Sequence, residues 1–184
     1  WVAVTESHLE NYAGMYLKRA GGRVMEAALA PRIDDPSLMV IRAAPLETPW
    51  RVLMISDRPG ALVESNLVLH LAPPSRISDE SWIKPGKTSW SWWSGDYATE
   101  VPFKYGMNTE TMKHYIDFSA ENGIEYMMLD EGWSADVGGR SRDLTRTNPK
   151  IDMPAILAYG KQKEVGIWLW CHWTFVDSQM DEAF

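Results

Sequence analysis

The chain has 184 residues, 45% of them hydrophobic, and a formal net charge of −7. That length and apolar content suffice for a real core, in one domain or in a domain and a piece of another. The charge argues against nucleic acid and an anionic membrane surface as partners, because both need a clustered basic face and no Lys or Arg cluster occurs.

In chain order, residues 1 to about 75 read as β-rich without a strong helical period. Met15 to Leu17 and Val24 to Leu29 flank Ala20-Gly21-Gly22, where glycines supply the backbone of a tight hairpin. Trp50 to Ile55 is a further strand, stopped by Ser56-Asp57-Arg58-Pro59-Gly60, while the short apolar run Asn66 to Leu71 fits either a strand or one helical turn. Pro73-Pro74 and Pro85-Gly86 bracket a polar stretch, so residues 76–86 are expected to link two domains.

Beyond that bracket the period changes. Lys87 to Trp93 reads as a strand, and Asn108 caps a helix through Met112, Tyr115, Ile116 and Ala120 that ends at Asn122-Gly123. Ile124 to Trp133 follows, a buried strand closed by two carboxylates. Asp152 caps a second helix through Ile156, Leu157 and Tyr159, with Gly160 weakening its interior. Val165 to Cys171 is the next strand, continuing into Trp173. Strand, helix, strand, helix, strand implies crossovers and a parallel sheet.

The tight turns lie at the helix-to-strand ends, and the long polar loops, Ser94 to Met107 and Glu131 to Ile151, at the strand-to-helix ends. That asymmetry favours the first three strands of a (β/α)8 barrel. A doubly wound sheet shares it, but Trp93-Ser94-Gly95-Asp96-Tyr97 offers one Gly where a nucleotide site wants several. The single Cys171 excludes an internal disulfide, and its apolar run predicts a buried, inert thiol. No apolar run reaches the roughly 20 residues of a membrane span, and the first residues lack the basic and apolar regions of a signal peptide. With Trp1 in an apparent strand and Phe184 in an apparent helix, the chain reads as an excerpt of a longer protein.

Trp90, Trp92 and Trp93 gather at one strand end, and Trp133 and Trp173 at the others; indole faces suit the C–H faces of sugars, although a single Trp is as readily core. Asp130 and Glu131 are adjacent and point apart on a strand, so one is expected to meet a ligand and the other to pair with an Arg or cap a loop. His172 at a strand end is a candidate hydroxyl donor. Arg140, Arg142 and Arg146 are expected to be solvated, and His8, His70 and His114 lack partners at ligand spacing.

The chain resembles glycoside hydrolase family 97, bacterial α-glucosidases and α-galactosidases. The resemblance rests on Thr5 to Leu17, Lys84 to Lys87 through Trp90-Ser91-Trp92-Trp93, Leu129-Asp130-Glu131-Gly132-Trp133, and Gly166 to Trp170 with His172. It implies the end of a β-sandwich domain (1–75) followed by a truncated (β/α)8 catalytic barrel (87–184), which needs the rest of its catalytic domain. It implies an exo-acting α-glycoside hydrolase acting on an oligosaccharide or α-glycoside, periplasmic or extracellular, with an active-site Ca²⁺ for which Glu6 looks like one ligand. Glu131 and His172 look like the sugar-contacting pair, with Trp92, Asp130 and Trp133 as further candidates for substrate binding.

Glycoside hydrolysis needs two flanking carboxylates. The family places its acid catalyst, and the Asp nucleophile of retaining members, beyond Phe184, so none is assigned here and the segment alone is expected to be inactive. Inverting members carry a base Glu just after the third strand. Thr174 stands near that place, its hydroxyl is no carboxylate base at neutral pH, and Asp177 takes the role only if the loop is offset, so a retaining enzyme is expected. A non-catalytic sugar-binding module and a doubly wound cofactor-binding enzyme are the alternatives.

Overall fold

The computed structural model describes residues 1–138 and 142–184, which divide into two compact units, Trp1–Glu80 and Ser81–Phe184. No helix among the described residues is long and apolar enough to cross a membrane.

In the first unit, β1 (Val2–Ser7), β2 (Met15–Gly21), β3 (Val24–Leu29) and β4 (Trp50–Ile55) form two antiparallel pairs, β1 with β4 and β2 with β3. Gly21 and Gly22 turn the β2–β3 hairpin with φ of 132° and 53°, values that favour glycine. After β4 come two short helices, α1 (Pro59–Val63) and α2 (Leu67–His70), so the ambiguous run after Asn66 is a helical turn. Four strands in two pairs are fewer than a complete sandwich contains.

The second unit holds, in order, β5 (Thr88–Trp90), α3 (Thr109–Glu121), β6 (Tyr126–Leu129), β7 (Ser134–Asp136), β8 (Arg142–Thr147), α4 (Met153–Gln162), β9 (Gly166–Leu169), α5 (Trp173–Ser178) and α6 (Met180–Ala183). β5, β6 and β9 form a parallel sheet in that order, with Trp90 opposite Met128 and Met128 opposite Trp168. The sheet is an open one of three strands, not a closed barrel.

Both long helices start where a side chain caps them. Asn108 accepts from the Thr111 N–H at 2.9 Å and Asp152 from the Ala155 N–H at 3.0 Å, each satisfying a backbone donor of the first turn. α3 stops at Asn122, and Gly123 (φ 60°) turns the chain into β6. Met112 and Ile116 of α3, Ile156 of α4, and Met127 and Leu129 of β6 are fully buried together, with Trp133, Ile151 and Val165 completing the core. Because strand side chains alternate, Tyr126 and Met128 point to the opposite face, which they share with Thr88, Trp90, Gly166 and Trp168. Gly160 does more than weaken α4: a Cβ there would stand 2.8 Å from the Val165 carbonyl, so glycine allows the helix to approach β9.

Four local expectations need correction. The first strand ends at Trp90, because Trp92 bridges to Asp96 across a tight turn through Ser94 and Gly95, both at positive φ. The loop after β6 is not irregular throughout; β7 and β8 form an antiparallel hairpin within it. Trp173 does not end a strand, since β9 stops at Leu169 and Trp173 opens α5. Cys171 is half-buried rather than buried.

Candidate functional site

The C-terminal ends of the three parallel strands bring together Trp90, Asp130, Glu131 and the loop leading to His172. β6 ends at Leu129, so Asp130 and Glu131 lie in the turn that follows and the opposed directions expected on a strand do not apply. Asp130 is tied down at both oxygens. Oδ2 accepts from Trp90 Nε1 at 2.9 Å, and Oδ1 accepts from the Glu131 N–H at 2.6 Å. Asp130 therefore joins the ends of β5 and β6 and fixes where Glu131 starts. Trp90 in turn packs against Trp92, ring centroids 5.6 Å apart, and both indoles remain substantially exposed.

Glu131 keeps an exposed carboxylate, with Arg142 Nε 3.8 Å from Oε1. Arg142 Nη1 lies 3.3 Å from Asp136, across the β7–β8 pair, and the Arg142 side chain is only 24% exposed. The expectation that Arg142 is solvated is thus wrong: one guanidinium serves two carboxylates. Arg146 is exposed, 4.0 Å from Asp143, and Arg140 lies outside the described residues.

Trp133 is a buried clamp, not an exposed platform. Its Nε1 donates to the Trp170 carbonyl at 2.8 Å, tying the chain after β6 to the chain after β9, and its ring belongs to the core. An indole N–H satisfied by protein in this way is unavailable to a sugar hydroxyl.

His172 is exposed and caps α5. Its Nδ1 accepts from the Thr174 N–H at 3.4 Å and lies 2.8 Å from the Thr174 hydroxyl. An Nδ1 that accepts puts the proton of the neutral ring on Nε2, leaving an N–H donor for a hydroxyl ligand. Phe175 and Trp173 pack beside the ring at 5.8 and 6.0 Å. Of the remaining histidines, His114 makes edge contacts with Phe103 and Tyr115, and His8 lies 4.0 Å from Glu10.

Glu6 belongs to the first unit. It sits opposite Arg51 in the β1–β4 register, its Oε1 against Arg51 Nη1, while Oε2 accepts from the Met15 N–H at 2.7 Å. The carboxylate thus fastens β2 to the β1–β4 pair, a role that a lone Glu in sequence does not announce. Among the described residues no group of three or more His, Cys, Asp or Glu could hold a metal ion.

Two residues of this arrangement escaped the sequence. Arg142 had only the faint signal of Gly138-Gly139 in the sequence between Asp136 and Arg142, with no alternation in the flanking runs to mark a hairpin. Gln179, whose side chain bonds the backbone of β8, had none.

Comparison with known proteins points one way. The sequence profile of glycoside hydrolase 97 matches residues 90–184, and that of the glycosyl-hydrolase 97 N-terminal region matches residues 1–74. A retaining α-galactosidase of Bacteroides thetaiotaomicron is 36% identical over 201 residues, covering 99% of this chain and 30% of that protein. A glycoside hydrolase family 97 enzyme from Pseudoalteromonas sp. strain K8, solved with acarbose, superimposes with a TM-score of 0.78 at 28% identity, over 99% of this chain and 29% of that one. A variant of that enzyme solved with panose gives a TM-score of 0.77 at the same identity and coverage. The chain thus spans less than a third of these relatives.

Proposed function

This chain belongs to glycoside hydrolase family 97, and we propose that it is part of a retaining α-galactosidase, where it supplies a sugar-binding edge of the active site. The observation that carries the reading is the shared edge: indole, carboxylate and imidazole groups stand together at the C-terminal ends of three parallel strands. That is the edge at which parallel α/β enzymes bind their substrates. The α-galactosidase assignment leans on the name of the Bacteroides relative.

Each group then has a task. The exposed faces of Trp90 and Trp92 stack on the C–H face of the sugar. Glu131, with Arg142 beside it, accepts hydrogen bonds from sugar hydroxyls, and His172 Nε2–H donates one. Asp130, with both oxygens engaged, positions Trp90 and Glu131 instead of touching the sugar. The two carboxylates that flank the scissile bond come from other parts of the enzyme. Thr174 cannot stand in for one, because its hydroxyl is engaged with His172 and does not ionise near neutral pH.

Calcium is part of the same proposal. A hard cation takes six to eight oxygens, so Glu6 can be one ligand among several supplied by the whole enzyme. Its carboxylate fits that part in being largely buried and already oriented by Met15, although Arg51 must move from Oε1 for a cation to approach that oxygen. When bound, the ion would supply positive charge to polarise a substrate oxygen. A periplasmic or extracellular location follows from the same family reading.

The test is the anomer first released from an activated α-galactoside by the full-length enzyme, followed by proton NMR. Retention yields α-galactose first. First-formed β-galactose would show inversion and overturn the argument from Thr174.

A further inference from the structure

We propose that Gln179 is a positioning residue that couples the loop after β6 to the loop after β9, so that Glu131 and His172 are held as one unit. Its side-chain amide is fully committed. Oε1 accepts from the Leu144 N–H at 2.9 Å, and Nε2 donates to the Arg142 carbonyl at 2.7 Å and to the Phe175 carbonyl at 3.3 Å. A residue in a parallel ladder bonds its partner strand in this pattern, donating to the carbonyl one residue before its neighbour and accepting from the N–H one residue after. The amide thus imitates a strand residue alongside Asp143 and closes the edge of β8 that β7 leaves open.

The two ends of this latch are the two halves of the candidate site. On one side, Arg142 carries the guanidinium that faces Glu131 and Asp136, so the carbonyl held by Gln179 belongs to the residue that orients Glu131. On the other, the Phe175 carbonyl lies in α5, whose first turn is capped by His172 and whose Phe175 N–H donates to the His172 carbonyl at 3.0 Å. Gln179 itself sits at the joint of α5 and α6, its N–H bonded to Val176 and its carbonyl to the Ala183 N–H. No shorter polar side chain reaches both strand groups, and a carboxylate would face two carbonyl oxygens with no hydrogen to offer.

The catalytic consequence rests on the reading that Glu131 and His172 contact the sugar, whereas the latch itself does not. The experiment separates them, using Gln179→Ala in the full-length protein. Amide hydrogen exchange is expected to speed up about 2- to 10-fold at both Leu144 and Phe175, the loss of one ordinary hydrogen bond at each end. Response at only one end would overturn the coupling. With α-galactoside as substrate, KM is expected to rise several-fold with kcat changed less than twofold, and in a Glu131→Ala background the same substitution is expected to raise KM by a smaller factor, because only the His172 side remains to be disturbed. Additive effects in the two backgrounds would overturn the proposal, because independent residues add. If the protein turns over no α-galactoside, the α-galactosidase reading fails and the exchange data alone decide the latch. Should Gln179→Ala not fold, Gln179→Met, which keeps the length of the side chain without its amide, is carried through the same measurements with faster exchange expected at both Leu144 and Phe175.

Discussion

Replacing Gly166 by Ala tests how the three strands are held together beneath the site. The backbone there lies outside the left-handed region, so Ala is sterically allowed on its own. The obstacle is Tyr126 on the neighbouring strand: a Cβ on Gly166 would stand 2.5 Å from Cδ1 and 2.8 Å from Cε1 of its ring. Carbon contacts relax at about 3.5 to 4.0 Å, so the ring must retreat by about 1 Å. Its neighbours restrict that retreat. The opposite edge is stopped by Gly86, where a Cβ would meet Cε2 at 2.8 Å; the hydroxyl donates to the Lys84 carbonyl; and Trp168 lies 4.7 Å from the ring. Overpacking of this kind costs about 1 to 3 kcal/mol, against a gain of about 0.5 to 1 kcal/mol from replacing a strand glycine. The expected net loss is about 1 to 2 kcal/mol, read from urea midpoints. In a Tyr126→Ala background the clash is gone, so the same change should become neutral or stabilising by about 0.5 kcal/mol. An undiminished loss in that background would refute the reasoning.

Asp117 bridges α3 and α4: burial pushes its carboxyl up, but hydrogen bonds from Lys163 (2.7 Å) and Tyr159 (2.8 Å) outweigh this and hold it below the ordinary carboxylate range. A depressed folded pKa gives stability that is present above the unfolded value of about 3.9 and lost as pH falls through the folded one, so the deficit of Lys163→Met in urea titrations should shrink below about pH 4. The raised pKa of Lys163, caused first by its bond to Asp117, works in the opposite sense, and the deficit should also shrink as pH rises past about 10.5. Asp130→Asn leaves one acceptor where Trp90 and Glu131 present two donors; kcat/KM of the full-length enzyme should fall about 10-fold, the worth of one strong hydrogen bond, with unchanged circular dichroism. Glu6→Gln should weaken Ca²⁺ binding in calorimetry and lower activity, with both partly restored by excess Ca²⁺, and unchanged affinity would remove Glu6 from the metal site.

The parts of the fold legible in the sequence were those with local causes. Asn108, Asp152 and Gly123 mark helix ends through their own side chains or backbone freedom, and Met112 and Ile116 declare the buried face by spacing alone. β6 and β9 stood out as apolar runs. The β7–β8 hairpin was missed because Ser134 to Asp136 and Arg142 to Thr147 are polar and short, with no alternation to separate strand from loop. Arg142 was misjudged for the same reason: its partners are set by hairpin pairing, invisible until the hairpin is known. Asp130 and Trp133 were noticed as chemistry-bearing, but whether such a residue meets ligand or protein depends on partners 40 and 37 positions away. Sequence spacing does not encode those distances.

The central claim, that Glu131 reads sugar hydroxyls at the strand ends, is tested most directly by kcat/KM of the full-length enzyme and its Glu131→Ala variant on an aryl α-galactoside and its monodeoxy analogues. A hydrogen bond to a charged group contributes about 1.5 to 3 kcal/mol, so removing the hydroxyl that Glu131 holds should cost the native enzyme about 10- to 100-fold and the variant less than about twofold. Equal losses in both proteins at every deoxy position would contradict it.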